Sequence, residues 1–151
     1  MSENFVLGKD AKAYFSAALL TAAVGPDALA WTEIDNVKDL TLNLETGEAD
    51  ITTRANNGWR ATAATLKDGS IEFEMLWKPG DAAFEAVKDA WLASAEIAFM
   101  ALDGAEDDSG REGFASNFTV TNFSRSEPLE EAITVSVTIK PSSQSQWYEV
   151  T

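Results

Sequence analysis

Ile133-Thr134-Val135-Ser136-Val137-Thr138-Ile139 is the stretch whose reading decides the fold. Apolar side chains occupy every second position, and small hydroxyls fill the positions between them. Successive side chains of a strand point to opposite faces, so this period of two predicts a strand with one buried and one polar face. Its β-branched residues suit a pleated, half-buried surface. The same pattern recurs upstream. Leu40, Leu42 and Leu44 alternate with Thr41, Asn43 and Glu45, and Ile71, Phe73 and Met75 alternate with Glu72 and Glu74. Within Phe114 to Phe123, Phe118 and Val120 alternate with Asn117, Thr119 and Thr121. Ile97 to Leu102 reads as a short, fully apolar strand.

Turn residues divide these strands. Gly47-Glu48, Asn56-Asn57-Gly58, Lys67-Asp68-Gly69 and Glu127-Pro128 are expected turns,. Lys78-Pro79-Gly80-Asp81 and Pro141 are expected to end strands, because proline has no N–H to give a ladder. One helix is expected. Asp81 is a suitable N-cap, and Ala82 to Ala95 are mostly good helix formers,. Phe84, Val87, Trp91 and Leu92 fall on one helical face, with Glu85, Lys88 and Asp89 on or near the other,. That apolar stripe is expected to be buried against the sheet. Ala11 to Val24 stays open between helix and strand, since its Ala and Leu favour one and Tyr14, Phe15 and Thr21 the other,. Gly25-Pro26-Asp27 breaks any regular element there.

Strands, one central helix and more strands give a mainly β fold with one α-helix, a β-sandwich or small barrel. The length fits one domain, residues 1–151,. Three parts stand out within it. Residues 1–30 read as an N-terminal arm, loose over Met1 to Gly8. Residues 47–65 have strand chemistry but no core face of their own, as in an extended hairpin or long loop lying against another surface. Residues 142–151 read as a polar tail.

Composition narrows the function. The chain has no Cys and no His. Disulfides and thiolate chemistry are therefore excluded, as are His general bases, His metal ligands and Ser–His triads. Carboxylate or Lys chemistry stays open. The net charge is −14, from 25 acids against 11 bases. A nucleic-acid binder gains affinity by displacing counterions with Lys and Arg, and this chain should on average repel polyanions and anionic membranes. Ala17 to Val24 is the most apolar stretch and is far too short to cross a bilayer,. Ala28-Leu29-Ala30 resembles a signal-peptidase site, but Glu3, Lys9, Asp10 and Lys12 make a mixed-charge leader, which reads against secretion,.

The carboxylate clusters do not assemble into known chemistry. Counted from Asp103, a calcium-hand loop would need ligands or Gly where Ala105, Asp108 and Phe114 stand, so Asp103 to Gly113 reads as a solvated acidic loop and no metal is expected,. Glu72 with Glu74, and Glu130 with Glu131, are neighbours on one surface rather than residues facing across a cleft, so no glycosidase geometry is expected. No phosphate loop, dinucleotide fingerprint or nucleophile elbow is present, and no cofactor is expected,. Asn117-Phe-Thr and Asn122-Phe-Ser match the glycosylation sequon, which has meaning only in a secretory context,. No enzyme activity is expected.

Several segments together carry a family resemblance. They are Asn36-Val-Lys-Asp-Leu-Thr-Leu-Asn43, Asp50-Ile-Thr-Thr-Arg54 with Gly58-Trp59, the span Asp68 to Leu92, Gly113-Phe114, Phe118 to Ser124 and Pro128-Leu-Glu-Glu-Ala132. In order and spacing, Trp31 to Pro141 resembles the tail-tube, or major tail, proteins of long-tailed phages. The acidic Asp103–Gly113 loop and the chain beyond Pro141 depart from the common pattern. The resemblance implies a virion component, assembled in the host cytoplasm, that forms homo-hexameric rings stacked into a hollow tube. The tape-measure protein and then DNA would pass through the lumen, and tail-tip and tail-terminator proteins would be further partners. It implies that the 47–65 segment reaches the adjacent ring, with Asp50, Arg54, Asn56, Asn57, Trp59 and Arg60 as the stacking residues. Alternation then makes Glu72, Glu74, Thr134 and Ser136 the candidates for an acidic lumen wall. The inner tube of a contractile injection or secretion system, and a monomeric β-sandwich binding module, are the alternative readings.

Overall fold

The computed structural model describes residues 8–151; the Met1–Leu7 part of the expected arm lies outside the described residues. The strands are β1 (Lys12–Ser16), β2 (Thr32–Glu33), β3 (Val37–Asp50), β4 (Thr62–Leu76), β5 (Glu96–Leu102), β6 (Glu112–Ser126) and β7 (Thr134–Glu149), with helix α1 (Ala82–Ala93) between β4 and β5. All pair antiparallel in one sheet, in the order β2-β1-β5-β6-β7-β4-β3. The mainly β fold with one helix is therefore as expected.

The sheet curls over its own apolar face. β4 and β5 are separated by two strands in hydrogen-bonded order, yet Phe73 and Phe99 stack with ring centroids 5.5 Å apart. In a flat sheet they would sit roughly 14 Å apart, at about 4.8 Å per strand. Ile71, Phe73 and Met75 of β4, Val135, Val137 and Ile139 of β7, Phe118 and Val120 of β6, and Phe99 of β5 fill this core. Helix α1 closes one open side with Phe84, Val87 and Ala90. Asp81 caps it, its Oδ2 accepting from the Phe84 amide at 3.2 Å. Phe84 meets Trp77 edge-on at 4.8 Å, a geometry that aromatic quadrupoles favour,.

The helix buries less of its stripe than the periodicity suggests. Trp91 is 44% exposed and Leu92 64% exposed. Phe84 and Val87 enter the core, while Trp91 stacks on the partly buried Phe123, 6.3 Å between centroids.

The Ala11–Val24 ambiguity resolves as a strand over Lys12–Ser16, followed by an irregular strap. β5 is buried on both faces, which explains its unbroken apolar sequence,. Its outward residues Met100 and Leu102 join Tyr14, Ala115 and Val150 in a second small core, covered by Leu20, Leu29 and Trp31 of the strap. Close approach of β6 to β5 depends on Gly113, where a Cβ would overlap the Ala101 carbonyl oxygen.

Three expected boundaries are corrected. Gly47 and Glu48 make no turn; β3 runs through them with a register shift between Thr46 and Glu48. Lys67-Asp68-Gly69 lies within β4, paired with Thr46, Glu45 and Leu44. Both turn-prone stretches thus lie within the ladder of one long hairpin. Pro141 does not end β7, which continues to Glu149. It pairs with Phe118 beside register shifts in β6 and near Gln144, whose φ is 56°. A bulged ladder of this kind does not need the missing N–H.

Candidate functional site

Two surfaces of the sheet are built for something other than the core. The first is the outer face of β6, β7, β4 and β3. The register places Ser124, Ser136, Glu74 and Asp39 side by side across four strands, and Asn122, Thr138, Glu72 and Thr41 in the next row. Thr134 follows at the end, opposite Leu76. Glu72, Glu74, Thr134 and Ser136 are thus brought onto one face, as alternation suggests. Beyond Glu72, Asn43 pairs with Ser70 and Glu45 with Asp68, with Lys140 beside them.

The electrostatics of this face are unfavourable to the isolated chain. Asp39 lies directly opposite Glu74, and Glu45 directly opposite Asp68. Like charges in opposed positions destabilise a sheet. Lys38 offsets part of this, its Nζ 3.7 Å from Glu74 Oε1 in an exposed pair,. Among the described residues no helix covers the face; α1 packs on β5 and β6 instead.

The second surface is the end of the β3–β4 hairpin. From Ile51 to Arg60 every residue except Asn56 is exposed. The tip is nonetheless ordered by its own hydrogen bonds. Thr52 Oγ1 accepts from the Ala61 amide at 2.8 Å, and the Asp50 carboxylate accepts from the Thr52 amide at 2.9 Å. The Thr52 side chain, and then its amide, hold the Asp50 carboxyl below the usual carboxylate range. Asn56 Oδ1 accepts from the Thr53 amide at 2.6 Å, while Thr53 Oγ1 accepts from the Ala55 amide at 3.3 Å, a reciprocal cap on one helical turn,. Asn57 (φ 53°) and Gly58 (φ 83°) make the reversal in the left-handed region that these residues tolerate best,. The result is a rigid knob presenting Trp59, 79% exposed, between Arg54 and Arg60. All six residues expected in a stacking segment, Asp50, Arg54, Asn56, Asn57, Trp59 and Arg60, lie in it.

Sequence reasoning missed a buried clamp. The Asn117 side chain accepts from the Leu20 amide and donates to the Leu20 carbonyl, both at 2.8 Å, and also donates to Ser143 Oγ at 3.0 Å. It pins the strap over the second core. Asn117 is buried, so the sequon it begins presents no accessible acceptor in the folded chain. Tyr14 Oη accepts from the Glu106 amide at 3.1 Å and so anchors the acidic loop. No local pattern announces either contact. Among the described residues, no group of three or more carboxylates converges to hold a metal ion, and no helix is long and apolar enough to cross a membrane.

A long hairpin with an exposed aromatic tip, on a curled sheet with an uncovered acidic face, directs attention to assembling proteins. The sequence profile of phage tail tube proteins matches residues 15–146. This chain belongs to the phage tail tube protein family.

Tail tube proteins are components of the virion tail, and the chain is a tail tube subunit of a phage or related tail system. No curated protein gives a significant sequence match. Solved tail structures share the fold. The tail of an empty gene transfer agent particle, refined helically with C6 symmetry, superposes with a TM-score of 0.71 at 15% identity, covering 94% of this chain and 98% of that one. The SPP1 tail tube gives 0.69 at 17% identity, covering 95% and 79%. The sheath–tube complex of PVC, an extracellular contractile injection system, in its extended state gives 0.59 at 10% identity, covering 98% and 94%.

Proposed function

We propose that this tail tube subunit polymerises as hexameric rings that stack into a hollow tube, with the outer face of β6, β7, β4 and β3 turned to an acidic lumen. The observation that carries this reading is the uncovered polar face, with Asp39 opposed to Glu74 and Glu45 to Asp68. A chain selected only for its own stability gains nothing from such pairs. A conduit for a polyanion does gain, because like charge keeps DNA off the wall. Duplex DNA carries a negative charge about every 1.7 Å. Glu72, Glu74, Thr134 and Ser136 line the lumen in this reading, and the bases at this face, Lys38 and Lys140, stand beside carboxylates that compete with phosphate for them. The C6 symmetry of the gene transfer agent tail supports six copies per ring.

The role is structural and not enzymatic. Each ring contacts the next through Asp50, Arg54, Asn56, Asn57, Trp59 and Arg60. Residues 1–30, the 47–65 hairpin and 142–151 pack on neighbouring copies. Tape-measure, tail-tip and terminator proteins complete a siphophage-type tail, assembled in the host cytoplasm and used for DNA ejection. The likeness to the PVC sheath–tube complex supports a second reading, the inner tube of a contractile machine. Binding of a sheath protein to the outside of purified tubes separates the two.

Negative-stain electron microscopy of the purified chain across a concentration series tests the proposal. Hollow tubes or six-fold rings are expected. Monomers at every concentration, even with tail-tip proteins supplied as nuclei, would overturn it in favour of a monomeric binding module.

A further inference from the structure

The end of α1 carries apolar surface that its own subunit does not use. Trp91 is only half covered, and Leu92 points outward beside Asp89, three residues back on the same exposed face,. The last turn of α1 has no base, so no side chain of the helix offsets the negative end of its dipole,. A matching surface lies elsewhere on the curled sheet. There β1 and the edge strand β3 face each other across a cleft of about 380 Å³. Val37, Leu40 and Leu102 give it an apolar floor, and Lys9, Lys12 and Lys38 border it. Among the described residues that line it, no acid is found, although the chain has 25 acids against 11 bases. Lys38 is engaged by Glu74 on the polar face, at 3.7 Å, and Lys12 by Glu33 at 3.4 Å, both in exposed and therefore weak pairs,.

We propose that this cleft receives the end of α1 from the neighbouring copy in the same ring. Leu92 enters between β1 and β3, Trp91 covers the mouth, and Lys9 and Lys12 face Asp89 and the helix C-terminus. The inference rests on the ring reading and adds which two surfaces close the ring. Charge complementarity selects the occupant. The lysines attract an acid and the negative end of a helix, whereas they repel the hairpin tip, whose Trp59 stands between Arg54 and Arg60,. Rigidity favours it too, since a capped helix has little conformational freedom to lose on docking,. The helix cannot fill its own cleft. It leads into β5 at Glu96, whereas the cleft is lined by Leu102 at the other end of that strand, roughly 20 Å away at ~3.3 Å per residue,. Two unlike surfaces set apart on one subunit make a head-to-tail contact, the kind that closes into a ring. A half-exposed tryptophan is the residue type that most often anchors such contacts.

The absence of cysteine makes a cross-linking test clean. A chain carrying both Ala11→Cys, at the cleft, and Leu92→Cys is assembled into tubes and oxidised. A disulfide-linked ladder that stops at six chains is expected, and monomer alone when the same chain is oxidised below the assembly threshold. Leu92→Ala, at an exposed position, is expected to raise that threshold about tenfold with unchanged thermal melting,. A chain pairing Ala11→Cys with Leu129→Cys, in the fully exposed β6–β7 loop, is expected to give no ladder. A ladder from that chain instead would put the β6–β7 loop in the cleft and overturn the proposal. So would a ladder running past six, which would mean a contact between rings, or an unchanged threshold for Leu92→Ala. Tubes without any ladder would overturn the helix contact and leave the tube reading standing. Failure of the unmodified chain to form tubes under any condition would overturn both.

Discussion

At the scale of single residues, burial and hydrogen bonding decide what a substitution costs. Phe84 is fully buried and Trp91 is not. Phe84→Ala should cost about 3–5 kcal/mol, and Trp91→Ala only about 1–2 kcal/mol, in urea unfolding. Equal losses would mean that Trp91 is covered in solution. Asn117→Ala strips two buried backbone groups of Leu20 of their partner, for a loss of about 2–4 kcal/mol and faster hydrogen exchange at the Leu20 amide,. Burial, and then the neighbouring Asp107 charge, hold the Glu106 carboxyl above the usual carboxylate range. Its charged form is disfavoured in the folded chain, so this group lowers stability as pH rises from the ordinary carboxylate pKa through its raised value. Glu106→Gln should therefore stabilise the chain at neutral pH and lose that advantage in acid. The same advantage at both pH values would refute the titration argument. None of these partners is visible along the sequence, because Leu20 finds Asn117, and Tyr14 finds Glu106, only through the sheet.

At the scale of elements, alternation was reliable wherever one face met the core. Val135, Val137 and Ile139 lie buried as their spacing demands, and Glu72 and Glu74 share the polar face with Ser136 and Thr138. Turn propensity was less reliable, because Gly and Asp also fit an exposed ladder once pairing is established. That is how Gly47 and Asp68-Gly69 came to lie inside a hairpin whose reversal is at Asn57-Gly58. Pro141 misleads similarly, since its bulge is a property of two strands together. The hairpin also bears on assembly. Among the described residues its tip bonds only to itself and to the adjoining ends of the hairpin. Deleting Asn56 to Trp59 should leave melting temperature and circular dichroism essentially unchanged while abolishing tubes in electron micrographs. Tubes from that variant would remove the hairpin from the stacking contact.

At the scale of the whole molecule, charge and topology set the terms of assembly. Subunits of charge −14 repel one another at long range, with a reach of about 10 Å at 0.1 M salt,. Tube formation followed by light scattering should therefore quicken as NaCl rises from low to moderate concentration. A decrease would mean that the few opposite-charge contacts outweigh the net repulsion. The sheet order has a further consequence, for synthesis. β1 is the partner of β5, yet the ribosome makes Lys12 well before Glu96. At ~5–20 residues per second the delay is roughly 4–17 s. Through that interval Tyr14 and Phe15 have only the two-residue strand β2 to pair with. Lys9, Asp10 and Lys12 precede them, and charges flanking an apolar segment disfavour its aggregation while it is exposed,. Neutralising those three charges should therefore lower the yield of soluble protein in the cell far more than it lowers the stability of the subunit once made.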